Sequence, residues 1–539
     1  MKTSEPIQNR RVLTRSRTEN SMLNIIVGIG GYVVNTLLGF VCRVVFVRFL
    51  PKEYLGINGF FTNILSLLTV AELGIGIAIV YALYKPIAEN DTEKIASLMR
   101  FFGRAYRIIG IVTAALGVAV MPFIPRLVDK PAEITESIYL LYGVYLFNNV
   151  IAYFFSYRGS FLLAAQQNYI VTGVNYIITI LQSIFQMIFL AVTKDYMSYL
   201  AIQTVGTVVY NIIIYYIAYK KYPYIADKQA KPLDGETKTS LFRNTRDLLL
   251  TRVSGLIVNN TDNIIITYFN GLAVTGVTSN YTLFISTLTT LFAQVFDGMT
   301  ASIGNHNALE DDAKRYEMFR CVNLSNFWLF SWGTVGIAFV SSDLVQVFFR
   351  DAYVLHWSIP LILAVNFYLV GMQSAVWAYM QTLGIFHYGR FISFVTAGIK
   401  IALSILWGDW SGTWSVFGIH LATAVGRVFT DVWYSPWALY KHGFHIKPSK
   451  YLGRYLLFLA VLLAEGGICF GICRMIDFSP LVNLLLKFLV CSIVPNGIFL
   501  AVFSRSRDFG MFKKAAGNML HIVKRKLGLE KTEAEACAK

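Results

Sequence analysis

Eight ionisable residues stand in stretches otherwise apolar enough to cross a membrane. Arg252 and Asp262 lie in RVSGLIVNNTDNIIITYFN (252–270), Lys400 in TAGIKIALSIL, and Arg427 and Asp431 in VGRVFTDVW. Arg43, Glu72 (in AELGIG) and Asp297 (in VFDG) complete the set. A charge at the bilayer centre costs about 2.5–3.5 kcal/mol on insertion scales, so such side chains face a partner or a wet cavity. The cations Arg43, Arg252, Lys400 and Arg427 could hold an anionic group, and arginine does so with a planar fork of donors. The carboxylates have raised proton affinity in a low dielectric and can also ligate sodium, so proton or sodium coupling is open to them. Asp262 is the foremost coupling candidate, because Asn259, Asn260 and Thr261 add oxygen ligands on the same turn.

Each has a plainer reading. Arg43 and Arg48 can snorkel to the outer interface, as can Lys487. Arg427 and Asp431 sit four apart and can neutralise one another as a structural pair. Arg252 can be the inner flank of its helix, and Glu72 and Asp297 can be charge partners of nearby arginines. Lys400 is far from either end of its span and resists such an explanation.

The elements that position these residues follow from composition. The chain of 539 residues is 55% hydrophobic and 14% charged, with a mean hydropathy of +0.54, where soluble proteins have roughly 25% charged residues. Apolar runs long enough to cross a ~30 Å hydrocarbon core recur along it. They fall near 22–49, 55–84, 107–128, 136–158, 169–192 and 196–219, then 247–270, 273–302, 322–348, 357–383, 390–408 and 412–440, with a last pair near 451–473 and 480–503. The ~10-residue alternating strands of a barrel are not found. The expected fold is an all-α polytopic membrane protein of about fourteen transmembrane helices.

Loop charges orient the spans. The net charge is +16, and cytoplasmic lysine and arginine account for it better than nucleic-acid binding. Of the 47 Lys and Arg, only Arg48, Lys52, Arg126, Lys130, Lys194, Arg350 and Arg474 fall in loops on the external side. Both termini are therefore placed in the cytoplasm, and the short external loops leave no room for an outside catalytic domain. The basic tails 1–21 and 504–539 and the basic linker 220–246 are cytoplasmic in this scheme. The N-terminal tail lacks the short apolar core of a signal peptide. Residues 91–107 have the spacing of an amphipathic helix lying at the inner surface, where anionic lipids attract it and the C-terminal tail. The six cysteines suggest no disulfide framework. His442 and His445 have no further ligands beside them, so no metal site is expected. Walker A, HExxH and GxSxG patterns are absent from the sequence.

The chain also echoes itself about 220–224 residues on: GYVVN (31–35) with SGLIVN (254–259), ELG (72–74) with FDG (296–298), and AENDTEK (88–94) with ALEDDAK (308–314). Six spans per half give two parallel repeats, an N-terminal lobe (22–219) and a C-terminal lobe (247–440), with an extra helix pair at 451–503. Repeats of this kind place a substrate site at their interface near the midplane.

KEYLGING (52–59), AELGIG (71–76) and NNTDNIII (259–266) resemble the polysaccharide flippases, the Wzx-type lipid-linked oligosaccharide translocases of the MOP exporter superfamily. The resemblance covers about residues 22–503. It implies two six-helix lobes, a central cavity and alternating access across a bacterial cytoplasmic membrane. The substrate it implies is a polyprenyl-diphosphate oligosaccharide, moved from the inner to the outer leaflet for cell-surface polysaccharide synthesis. Arg43, Arg252, Lys400 and Arg427 would then meet the diphosphate, and Tyr281, Trp377 or Tyr379 could stack on sugar rings. Pathway polymerases and glycosyltransferases are the implied partners. Two other readings compete. A MATE-like cation-coupled drug antiporter should have an acid-dominated cavity and about twelve spans. A polysaccharide polymerase or membrane glycosyltransferase should have a large external loop. The excess of embedded cations, the extra helix pair and the short external loops favour a transporter that is not an enzyme.

Overall fold

The computed structural model describes residues 17–69, 72–128, 133–226, 230–233, 235, 239, 253, 255–389, 391–514 and 517. These are overwhelmingly helical, with no strand among the described residues. Eight helices among them are long and apolar enough to cross a membrane. A ninth appears if Ile138–Tyr153 and Ser156–Ala164, bent by 44° at their break, form one span. Many of their large apolar side chains point outward, Leu37, Ile177, Val192 and Leu463 among them, as a hydrocarbon surround requires. Other expected spans are assembled from shorter pieces. The one near 55–84 is Lys52–Leu68 followed by Glu72–Glu89. The one near 412–440 is Thr413–Phe429 followed by Asp431–Ala438, separated where Thr430 leaves helical geometry.

The chain divides into two compact units between Ser279 and Asn280. That point lies inside the helix Asp262–Leu309, which is kinked at Gly271, where φ is +81°. The linker expected at 220–246 lies mostly outside the described residues.

In the first unit, Ile95, Leu98, Phe102 and Tyr106 are buried among Ile79, Leu83, Phe161 and Leu162. The stretch 91–107 is therefore not a separate helix on the inner surface, as the sequence suggested. It is the first half of one continuous helix, Thr92–Val120, whose apolar stripe has protein to pack against. At 29 residues and ~1.5 Å per residue, that helix overruns the hydrocarbon thickness and can carry its own polar extension.

The second unit has an aromatic core. Phe327 stacks on Phe458 at 4.3 Å and packs near Phe499 and Phe503, which docks the pair Ser449–Cys473 and Pro480–Phe503 on the helix Asp312–Phe349. Gly371 leaves room for the ring of Phe330, and a Cβ there would overlap it. Membrane interiors lack a hydrophobic drive between helices, so close fits of this kind do much of the holding.

Candidate functional site

Lys400 is the most enclosed of the expected cations, with no solvent exposure at all. It sits on Ile392–Gly408 between Thr396 and Ser404, one turn away on either side, and all three are buried on one face. That face meets Thr413–Phe429, where Gly426 lies against the Lys400 backbone and a Cβ would come 3.7 Å from the Lys400 Cβ. Thr396 and Thr430 share a hydroxyl–hydroxyl hydrogen bond of 2.7 Å. The residues beside these contacts, Arg427 and Asp431, form an ion pair at 3.7 Å with only 12% and 13% exposure. This is the structural-pair arrangement that four-residue spacing allows. The patch as a whole holds two cations and one carboxylate among hydroxyls.

Arg43 is half-buried in the first unit and donates to the Ser279 hydroxyl. Close to it in the chain, Phe46 packs edge-on against Tyr196 and Tyr199, and the Tyr145 and Tyr196 hydroxyls are 2.8 Å apart. Asp262 is half-buried at the start of its helix. Two of the neighbours expected to support it are engaged with their own helix: Asn260 donates to the Leu256 carbonyl and Thr261 to that of Ile257. Arg252 lies outside the described residues, and so do the side chains of Glu72 and Asp297.

The sequence motifs meet physically. A Cβ on Gly56 would overlap the Leu272 carbonyl oxygen, and one on Gly276 would overlap that of Lys52. Gly59 lies against Asn263, its would-be Cβ 3.4 Å from the amide nitrogen. KEYLGING and the helix bearing NNTDN are thus packed backbone to backbone, and their glycines are there for that approach. Tyr281 and Tyr379 are buried; the first holds the Leu355 amide through its hydroxyl at 3.0 Å and the second packs on Phe319 and Phe444. Neither has a face open for a sugar ring. His445 bonds to Asp312 at 2.8 Å and His442 stacks on Tyr388.

Four buried charges, Asp343, Asp508, Glu465 and Arg158, were not singled out from the sequence. Lys487 does not snorkel; its ammonium reaches both carboxylate oxygens of Asp343, at 2.8 and 3.0 Å. Asp508, 5% exposed, takes hydrogen bonds from Arg320 and an ion pair from Arg454. Glu465 is wholly buried, and Arg158 lies 3.6 Å from the Tyr215 ring centre. Asp343 and Glu465 were legible as acids within apolar runs. Arg158 and Asp508 stand at span ends, where the sequence offers no sign of burial.

With this architecture in view, comparison with known proteins is decisive at the level of family. Residues 21–299, more than half of the chain, match the family described as polysaccharide biosynthesis protein. The chain belongs to that family. Its fold is similar to that of a lipid II flippase MurJ in an inward closed conformation, with a TM-score of 0.59 over 89% of this chain and 100% of that one at 15% identity. It is also similar to an inward-facing multidrug resistance MATE family transporter of the MOP superfamily, with a TM-score of 0.56 over 79% of this chain and 97% of that one at 16% identity. At such identities the likeness is one of fold. An uncharacterized membrane protein of Methanocaldococcus jannaschii is 26% identical over 255 residues, 45% of this chain. The chain spans about half (49%) of that relative's length. This family member is a multi-pass membrane protein whose fold is similar to that of the MurJ flippase and of the MATE transporter.

Proposed function

We propose that the chain is a secondary transporter that flips a polyprenyl-diphosphate-linked oligosaccharide from the inner to the outer leaflet of a bacterial cytoplasmic membrane. The observation that carries this reading is Lys400, a wholly buried cation on one helix face with Thr396 and Ser404, in a chain of the polysaccharide biosynthesis family. A lipid-linked sugar presents an anionic diphosphate that must be shielded from hydrocarbon while its tail stays there. Lys400, Arg427, Arg43 and Arg252 supply positive charge for that task, arginine as a fork and lysine as a point charge. No bond of the substrate is made or broken, and the chain acts by alternating access. Asp262 is the first candidate for H⁺ or Na⁺ coupling, with Glu72, Asp297 and Asp431 as further carboxylates. Glycosyltransferases that build the substrate and a polymerase that consumes it are the partners this role calls for.

Flipping is tested with the full chain in vesicles, following a lipid-diphosphate sugar. Lys400→Ala should abolish transport while the thermal transition in detergent stays cooperative, and Lys400→Arg should retain part of it. Full transport by a folded Lys400→Ala protein would sink the reading.

A further inference from the structure

Within the first unit, the helices Ile138–Tyr153, Ser156–Ala164, Asn168–Thr193 and Tyr196–Lys221 surround a cavity of about 530 Å³. Ligand pockets span about 300–1,000 Å³, so this one is of useful size. Its lining is unlike the charged patch around Lys400. Asn175 and Gln182 reach it from one helix, Gln203 and Thr207 from the next, and Ser156 and Ser160 from the short bent one. Among the described residues, no Asp, Glu, Lys, Arg or His lines it. Gly206 is part of the design, because a Cβ there would overlap the Gln182 amide.

Part of this polar capacity is unused, although the Thr207 hydroxyl and the Asn211 amide donate to backbone carbonyls of their own helix. Ser156 Oγ is buried without a hydrogen-bond partner among the described residues. A buried hydroxyl or amide costs free energy unless something bonds it, so a wall of this kind calls for an occupant with many donors and acceptors. The occupant must also be uncharged, since a phosphate or carboxylate would lose its hydration against no cation. Arg158, next in the chain to lining residues but not itself in the lining, faces the Tyr215 ring and donates from Nε to the Tyr157 hydroxyl at 3.2 Å, while its Nη1 is buried without a hydrogen-bond partner among the described residues.

We propose that this cavity is a saccharide subsite, taking a neutral sugar unit rich in hydroxyl and acetamido groups and discriminating against acidic units. The proposal rests on the transport reading above and adds to it a preference among sugars. Amides suit this task because each offers a fixed acceptor and two donors. The same chemistry could arrive on a lipid-linked glycan or as a free saccharide, and the two are separable by experiment.

The full chain carrying Ser160→Cys is purified in detergent, and alkylation of the new thiol is timed by mass spectrometry. Thr207→Cys serves as a second reporter should the first misfold. The probes are N-acetyllactosamine on polyprenyl diphosphate, a glucuronate-containing disaccharide on the same lipid, bare polyprenyl diphosphate, and free N-acetyllactosamine. The neutral glycolipid should slow alkylation, the free disaccharide should do so only at higher concentration, and the bare and acidic lipids should not. Gln182→Leu combined with Gln203→Leu should weaken protection by the neutral glycolipid roughly tenfold, the worth of one or two hydrogen bonds, and leave binding of the bare lipid unchanged. Equal protection by the bare or acidic lipid would overturn the proposal, as would no protection by any probe in a preparation that flips the neutral glycolipid. Protection by the neutral sugars in a protein that flips none of the lipids would keep the subsite and overturn the transport reading instead.

Discussion

Asp91 and Asp311 hold the same post at the heads of two long helices. Each carboxylate accepts a hydrogen bond from the backbone N–H of a lysine three residues on, Lys94 at 2.9 Å and Lys314 at 3.0 Å. They are the capping residues of AENDTEK and ALEDDAK, the echo read in the sequence. A cap satisfies amides that the helix itself leaves without partners. The two caps thus stand at matching positions of that echo.

The caps give the first prediction. Asp91→Ala and Asp311→Ala should each destabilise by about 1 kcal/mol, and Asn at either position should restore most of that. Unfolding of the full chain in detergent, followed by circular dichroism, measures both.

The glycine contact gives a second. Gly56→Ala or Gly276→Ala puts a methyl group into a carbonyl oxygen of the facing backbone. The helices must separate, at a cost of about 1–3 kcal/mol or more. Gly28→Ala and Gly39→Ala, where nothing lies within 4 Å of the added atom, should be tolerated. The yield of monodisperse protein and its thermal midpoint separate the two groups.

A third concerns Lys487 and Asp343, whose side chains are 19% and 8% exposed. Lys487→Met alone strands a buried carboxylate and should destabilise by about 3–5 kcal/mol. Adding Asp343→Leu removes the stranded charge and should recover most of the loss. A double-mutant cycle on thermal stability tests the coupling. Strict additivity of the two single effects would show that the pair contributes nothing.

The fourth concerns topology. The described cysteines are all buried, so a cysteine placed at Lys231 offers an exposed target for an impermeant maleimide. It should be labelled only from the cytoplasmic side, as the basic loop around it requires. Labelling from outside would reverse the orientation of every span.

The sequence alone was enough for the class of protein and many span limits, because these depend on local composition, and for the family, because its resemblance lies in short motifs of sequence. An apolar run announces its own helix, and the expected spans 169–192 and 480–503 are met to within a residue or two. It also marked Lys400 as a charge far from either end of its span, and the structure buries that side chain completely. Tertiary structure alone decided what the charged and glycine residues do, because their partners are distant in sequence. Lys487 reads as an interfacial lysine until Asp343 is brought against it from another helix. Gly56 reads as a family signature until the Leu272 carbonyl lies over it. The uncharged cavity was invisible for the same reason. Gln182 and Gln203 are ordinary polar residues one at a time, and only the packing of their two helices turns them into a wall.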